Sequence, residues 1–171
     1  MVSLALAGSA SFIPSMVELE PIASPFSIDT MEKFATRVAP DKGGLFFVAG
    51  GDSLLEVNSW RESEKLLTSY SFIFVARPGT NIARFDDALP AQARARVKDF
   101  RGLKRDEIRR RLAGVKANEN GIYIVDVRAP DISATHIRAR AAAGKSVARM
   151  VPRPVVRPNN SFKPTPLRGA A

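Results

Sequence analysis

Short, uninterrupted apolar runs are the clearest pattern along this chain. Three of them span residues 45–50, 71–76 and 122–127. Runs of this length without polar alternation are typical of parallel strands that are buried on both faces. One stretch with helical spacing precedes them, at 27–38, and two lie between the first and second runs, at 54–57 and 62–68. Strands that alternate with helices predict an α/β domain built on a parallel sheet with flanking helices.

The first forty residues predict less regular structure. Residues 2–8 are small and apolar and resemble the end of a helix, and 11–15 favour a short strand closed by Pro14. A helix is expected over 27–38 with Ser27 as its N-cap. Its apolar positions, which should share one face, are Ile28, Met31, Phe34 and Ala35.

The C-terminal end of the chain changes in composition. Five prolines lie between 152 and 166, which excludes a regular helix there. We therefore expect one domain over residues 1–157 and a disordered tail over 158–171.

Composition narrows the chemistry. The 171 residues contain no cysteine and one histidine, which excludes disulfides and cysteine-ligated metal sites. No apolar run of membrane-spanning length exists, and the start lacks a positively charged signal region, so we expect a cytoplasmic protein that does not interact with membranes. The net charge of +9 favours anionic partners, although a generally basic surface explains it equally well.

The segment "ISATHIR" at 132–138 is the most specific candidate for chemistry. Ser133 and Thr135 lie at the predicted start of a helix that follows a strand, where free N–H groups and the helix dipole favour phosphate. Arg138, one turn later, is able to pair with two phosphate oxygens. The alternative from the same residues is an ordinary N-cap and a solvated arginine.

Five segments in order resemble the bacterial nicotinate-nucleotide adenylyltransferases. "ISATHIR" is similar to the ISSTxIR signature of these nucleotidyltransferases. The other four segments are "SPFSIDTMEKF" at 24–34, "LFFVAGGDSLLEVNSW" at 45–60, "FIFVARPG" at 72–79 and "SVARMVPRPVV" at 146–156. The resemblance implies a Rossmann-like nucleotidyltransferase fold. It also implies transfer of AMP from ATP to nicotinate mononucleotide, with Mg²⁺, to form deamido-NAD in NAD biosynthesis.

The resemblance also implies site residues. Ser133, Thr135 and Arg138 would hold the ATP phosphates. The nicotinate nucleotide would contact Ser27, Thr30, Gly51 and Asp52, with Trp60 stacked on its ring. Phe26 stands where the family usually has tyrosine, and Gly51 stands where it usually has alanine. Asp52 is a poor Mg²⁺ ligand because it has no second carboxylate nearby, so no protein metal site is expected.

One family motif is absent from these residues. The family's H-x-G-H pair binds ATP phosphates, whereas this chain has His136 alone, inside the C-terminal signature. The sequence thus matches an N-terminally truncated member that lacks the first βα unit, and we expect little activity from it and no catalytic residue within it. Because a first strand is normally central in such sheets, its absence should leave exposed edges.

Two further interpretations belong to other classes of protein. The first is a non-catalytic nucleotide-binding remnant. The second is a basic nucleic-acid-associated domain, suggested by the ten lysines and arginines in 94–116, although a solvated helical face is the simpler explanation of that stretch. The sequence leaves the oligomeric state and the preference for nicotinate over nicotinamide open.

Overall fold

The computed structural model describes residues 2–20, 24–37, 44–76, 85–114, 119–127, 130 and 132–156. Its centre is a four-stranded parallel sheet with the strand order β1-β2-β4-β3. The strands are β1 (Phe46–Gly50), β2 (Ser71–Ala76), β3 (Val97–Asp99) and β4 (Ile122–Asp126). This arrangement confirms the predicted α/β class and the parallel sheet.

Short helices separate the strands. They are α1 (Val2–Ala5), α2 (Ser27–Ala35), α3 (Gly51–Glu56), α4 (Ser63–Ser69), α5 (Phe85–Ala88), α6 (Ala91–Arg94), α7 (Arg105–Ala113) and α8 (Ala134–Ala142). Two 3₁₀ helices, Val57–Ser59 and Arg153–Val155, complete the described elements. Among the described residues, no helix has the length and apolar character needed to cross a lipid bilayer.

One face of the sheet carries the core. Parallel pairing aligns Phe47 with Phe72, and Phe72 with Ile122, so that alternate residues of neighbouring strands point to the same side. Helices cover this side with fully buried aliphatic side chains. Those side chains are Ile28 of α2, Leu54 of α3, and Leu66 and Leu67 of α4.

The opposite face of β1 is open, which corrects the expectation of a strand buried on both faces. Phe46 is 45% exposed and Val48 is 63% exposed. Both point away from the core, and among the described residues β1 pairs with β2 alone. The physical reason is that the described residues leave this face of β1 largely uncovered.

Several local predictions were wrong. Residues 11–15 form no strand, α2 ends at Ala35 rather than near 38, and Ser27 is the first helical residue rather than the N-cap. Phe26 is the N-cap, with φ −95° and ψ 136°. The basic stretch after Ala93 is not one helix, because β3 divides it. By contrast, Ser133 is the N-cap of α8, as predicted.

The chain divides into two compact units. One comprises Met1–Met16 and Pro130–Ala171, and the other comprises Val17–Ala129. In the first unit α1 contacts the Arg153–Val155 3₁₀ helix, and the Arg140 guanidinium donates to the Ser146 carbonyl at 2.9 Å. The second unit contains the sheet and its core. The predicted boundary between a domain over 1–157 and a tail over 158–171 stays a prediction, and the tail lies outside the described residues.

Candidate functional site

A cavity of about 290 Å³ opens in the larger unit beside the start of α2. Two chain segments line it. They contribute Pro25, Phe26 and Ser27 from the start of α2, and Ser59, Trp60 and Arg61 from the turn before α4. The structure thus brings together Ser27 and Trp60, two of the residues predicted to contact a nicotinate nucleotide.

The turn that presents Trp60 is fixed by its own backbone. The Val57–Ser59 3₁₀ helix follows α3, and the Trp60 N–H donates to the Val57 carbonyl at 3.1 Å. Val57 is fully buried, so this short helix is anchored in the core. Glu62 then takes a left-handed conformation, with φ 50°, and α4 begins at Ser63. Trp60 and Arg61 therefore lie in a sharp turn between two packed helices.

Trp60 combines a packing role with an accessible surface. Its ring is half-buried and meets the Phe47 ring edge-on, with centroids 5.8 Å apart and planes at 68°. The same side chain also lines the cavity. An indole that is held by the core and still borders an open cavity has the geometry needed to stack on a planar ligand.

The remaining predicted nucleotide contacts do not line this cavity. The Thr30 hydroxyl, one turn into α2, donates to a Glu18 carboxylate oxygen at 2.9 Å. Gly51 and Asp52 begin α3 directly after β1, where Gly51 is buried and Asp52 is exposed. This position is the carboxyl end of a parallel strand, the sheet edge where ligands bind in folds of this class.

The second predicted group lies at the start of α8, in the smaller unit. The Ser133 hydroxyl accepts a hydrogen bond from the His136 backbone N–H at 3.1 Å, which makes it a true N-cap. The Thr135 hydroxyl accepts from the Arg138 guanidinium at 3.3 Å. All four side chains are exposed. The cap and the exposed arginine leave both interpretations of this helix start, structural and phosphate-binding, physically consistent.

Metal-ligating groups are sparse. Within the described ranges, no cluster of three or more histidine, aspartate or glutamate side chains has the arrangement needed for a metal ion.

Four residues that line the cavity, Pro25, Phe26, Ser59 and Arg61, were not among the predicted site residues, and two of them contact each other. The Arg61 guanidinium lies over the Phe26 ring, 4.7 Å from its centroid. Arg61 directly follows Trp60 and Phe26 directly precedes Ser27, so adjacency to residues already singled out was the available signal. Their contact joins residues far apart in sequence, and no spacing rule predicts it.

Comparisons with known proteins agree with these observations. The family model described as cytidylyltransferase-like matches residues 10–140. A protein from Geotalea uraniireducens named "Probable nicotinate-nucleotide adenylyltransferase" is 32% identical over 157 residues, covering 91% of this chain and 67% of its own length. A protein of the same name from Pelobacter propionicus is 33% identical, over 89% of this chain and 66% of its own length.

A solved structure is similar in fold. Nicotinic acid mononucleotide adenylyltransferase from Plasmodium falciparum, complexed with NaAD, superimposes with a TM-score of 0.56 at 14% identity. The match covers 91% of this chain and 65% of that chain. The chain thus spans about two thirds of the length of the relatives it matches. With the extent of the family match and the identity to the curated relatives, the conclusion is that this chain belongs to the cytidylyltransferase-like family, among the nicotinate-nucleotide adenylyltransferases.

Proposed function

We propose that this chain takes part in adenylyl transfer from ATP to nicotinate mononucleotide, which yields deamido-NAD and pyrophosphate. The observation that carries the proposal is Trp60, held by Phe47 at the border of a cavity that also contains Ser27. An aromatic plane beside a hydroxyl suits a pyridine ring with polar substituents. The names of the curated relatives favour the same substrate.

The proposed pyridine-nucleotide site extends beyond the cavity. Gly51 and Asp52 lie at the carboxyl end of β1, where a carboxylate is suited to accept hydrogen bonds from ribose hydroxyls. As a glycine, Gly51 adds no side chain between a ligand and the backbone. Thr30 takes part only if a ligand replaces its hydrogen bond to Glu18.

The proposed ATP site is the start of α8. Ser133, Thr135 and Arg138 place two hydroxyls and a fixed positive charge beside N–H groups that the helix itself does not use. We assign them to the triphosphate. Mg²⁺ suits this reaction as a partner of the phosphates, since magnesium is often bound through substrate oxygens with few protein ligands.

The chemistry of this chain is limited by its single histidine. His136 is exposed in the first turn of α8, and the H-x-G-H pair is not among the 171 residues. Charge stabilisation by pre-oriented donors accounts for a large share of catalysis in reactions of this kind. We therefore propose binding of both substrates with little turnover by these residues alone, which also describes a non-catalytic nucleotide-binding protein.

Two measurements on the 171-residue chain test the proposal. Calorimetric titration with nicotinate mononucleotide and with ATP should show binding of each. A pyrophosphate-release assay with both substrates and Mg²⁺ should show turnover far below the ordinary enzyme range of about 1–10³ per second. Absence of mononucleotide binding would contradict the assignment of the cavity. Turnover within the ordinary range would contradict the role given to the missing histidines.

A further inference from the structure

Arg61 is the positive charge of the cavity. Its guanidinium carbon lies 4.7 Å from the Phe26 ring centroid, and the cavity is lined by both residues and by Trp60. A guanidinium that stacks on an aromatic ring has a fixed plane, while its N–H groups point outward around the edge of that plane. Phe26 therefore orients Arg61 for hydrogen bonds within the guanidinium plane.

The Arg61 guanidinium makes only a long ion pair with a carboxylate of the described residues. Within the described part of the chain its acidic contact is Glu62, with the Arg61 Nε and a Glu62 carboxylate oxygen 3.8 Å apart. That separation exceeds hydrogen-bond length. The Arg61 side chain is 53% exposed. An anion that enters the cavity thus meets an arginine whose outer N–H groups are accessible.

We propose that Arg61 determines specificity by pairing with the carboxylate on the pyridine ring, so that the cavity favours nicotinate over nicotinamide mononucleotide. This inference rests on the proposed function. Trp60 and Arg61 line the same cavity, so a ring stacked on the indole is close to the residue that carries the guanidinium. A carboxylate accepts two parallel N–H bonds from arginine, whereas a neutral amide offers one oxygen and no charge.

The nucleotide carries a second anion, the 5′-phosphate, which an arginine also binds. The phosphate is common to both mononucleotides, whereas the carboxylate belongs to nicotinate alone. If the guanidinium pairs with the ring carboxylate, loss of Arg61 should therefore weaken the binding of nicotinate mononucleotide alone. If it pairs with the phosphate, the binding of both mononucleotides should weaken equally.

The chain carries its own probe for this test, because Trp60 is the single tryptophan among 171 residues. Quenching of its fluorescence by nicotinate mononucleotide or nicotinamide mononucleotide reports binding in this cavity. Calorimetry on the same samples guards against a change in the emission of Trp60 caused by its altered neighbour. The variants are Arg61→Gln, which keeps length and polarity, and Arg61→Lys, which keeps the charge.

A matched control lies just after the end of α2. Arg37 also lies over a phenylalanine ring, 6.0 Å from the Phe34 centroid, but outside the cavity. Arg37→Gln removes an arginine and a stacking contact of the same kind without touching Trp60. Its affinities for both mononucleotides should equal those of the unchanged chain.

The expected result for Arg61→Gln is a dissociation constant for nicotinate mononucleotide raised about ten- to a hundredfold, as for loss of a charge-assisted hydrogen bond. The constant for nicotinamide mononucleotide should change less than about twofold. Arg61→Lys should recover part of the loss.

Equal weakening for both mononucleotides would overturn the specificity role and leave the proposed function standing. Unchanged affinity of Arg61→Gln for nicotinate mononucleotide would also overturn the specificity role and leave the proposed function standing. If the unchanged chain binds neither mononucleotide, by fluorescence or by calorimetry, the proposed function itself fails and the inference fails with it.

Discussion

The indole of Trp60 meets the ring of Phe47 edge-on, with centroids 5.8 Å apart and planes at 68°. Edge-to-face aromatic pairs of this geometry contribute about 0.5–1.5 kcal/mol beyond the burial of their area. Phe47 lies in β1 and its ring packs on the Phe72 ring, 5.3 Å between centroids. The plane of the indole is thus fixed by the sheet before any ligand arrives.

Replacement of Trp60 by alanine should weaken binding of nicotinate mononucleotide and spare ATP. The substitution removes the stacking surface of the indole from the cavity, whereas the residues assigned to the triphosphate lie at the start of α8. Calorimetric titration of the variant with each substrate measures both effects. Trp60→Phe serves as the control, since it keeps an aromatic plane and should retain part of the affinity. Equal losses for the two substrates would contradict a stacking role.

Loss of the Arg138 guanidinium should weaken ATP binding without unfolding the chain. Arg138 is exposed, and its bond to Thr135 lies within the first turn of its own helix. A charge-assisted hydrogen bond contributes roughly 1.5–3 kcal/mol, so Arg138→Ala should raise the ATP dissociation constant about ten- to a hundredfold.

The structural role of the cap is tested separately, by the stability of Ser133 variants. Ser133→Asn keeps a side-chain acceptor for the His136 N–H, whereas Ser133→Ala removes it and should lower the free energy of unfolding by about 1 kcal/mol. Arg138→Lys should restore only part of the ATP affinity, because an ammonium lacks the planar fork. Unchanged ATP affinity in a folded Arg138→Ala protein would leave this helix start with a structural role alone.

Arg96 ties α4 to the neighbouring strands, and its removal should destabilise the fold. Its guanidinium donates to the carbonyls of Leu67, Tyr70 and Asn120, the last at 3.1 Å. Burial lowers the pKa of Arg96, which agrees with a partly desolvated charge. Arg96→Ala should lower the free energy of unfolding by about 2 kcal/mol. Arg96→Lys should lower it by less, and the measurement is chemical denaturation at neutral pH. A change below about 0.5 kcal/mol, as at ordinary surface positions, would contradict this role.

Asp99 should make stability depend on pH in the acid range. Hydrogen bonds from the Arg101 side chain lower the pKa of Asp99 below its ordinary value, and the closest contact joins Arg101 Nη2 and Asp99 Oδ2 at 2.5 Å. A depressed folded-state pKa stabilises the protein above the unfolded value of about 3.9, and that stability is lost as pH falls through the folded pKa.

The matched variant is Asp99→Asn, which keeps the shape and removes the charge. Because the Asp99 side chain is 36% exposed, its contribution should be small, about 1 kcal/mol or less. The unchanged chain should lose slightly more stability than the variant between pH 5 and pH 2, as measured by urea denaturation. The same loss in both proteins would show that this pair does not couple to folding.

The sequence predicted those parts of the fold that depend on local pattern. Strands β1, β2 and β4 fall within the predominantly apolar runs at 45–50, 71–76 and 122–127. Strand β3 went unpredicted because Val97, Lys98 and Asp99 form a short polar run inside a basic stretch. It is a strand through its pairing with β4, which is a contact between distant residues.

In the candidate site, too, local features were predicted and contacts between distant residues were not. Residues at element starts, such as Ser27 and Ser133, were identified from spacing and resemblance. The contact between Phe26 and Arg61 was not, since it depends on how α2 meets the turn before α4. The residue that caps α2 was also misplaced by one position, because Phe26 has an extended backbone and no side-chain acceptor.

The open face of β1 has a consequence for the colloidal behaviour of the chain. Phe46 and Val48 present apolar surface beside an end strand, which is a template for edge-to-edge association. The net charge of +9 opposes such contacts between copies over distances near the Debye length, about 10 Å at 0.1 M salt and about 3 Å at 1 M. Ionic strength should therefore control the association of copies of this chain. Light scattering should show a monodisperse species in dilute buffer and larger aggregates as salt is added.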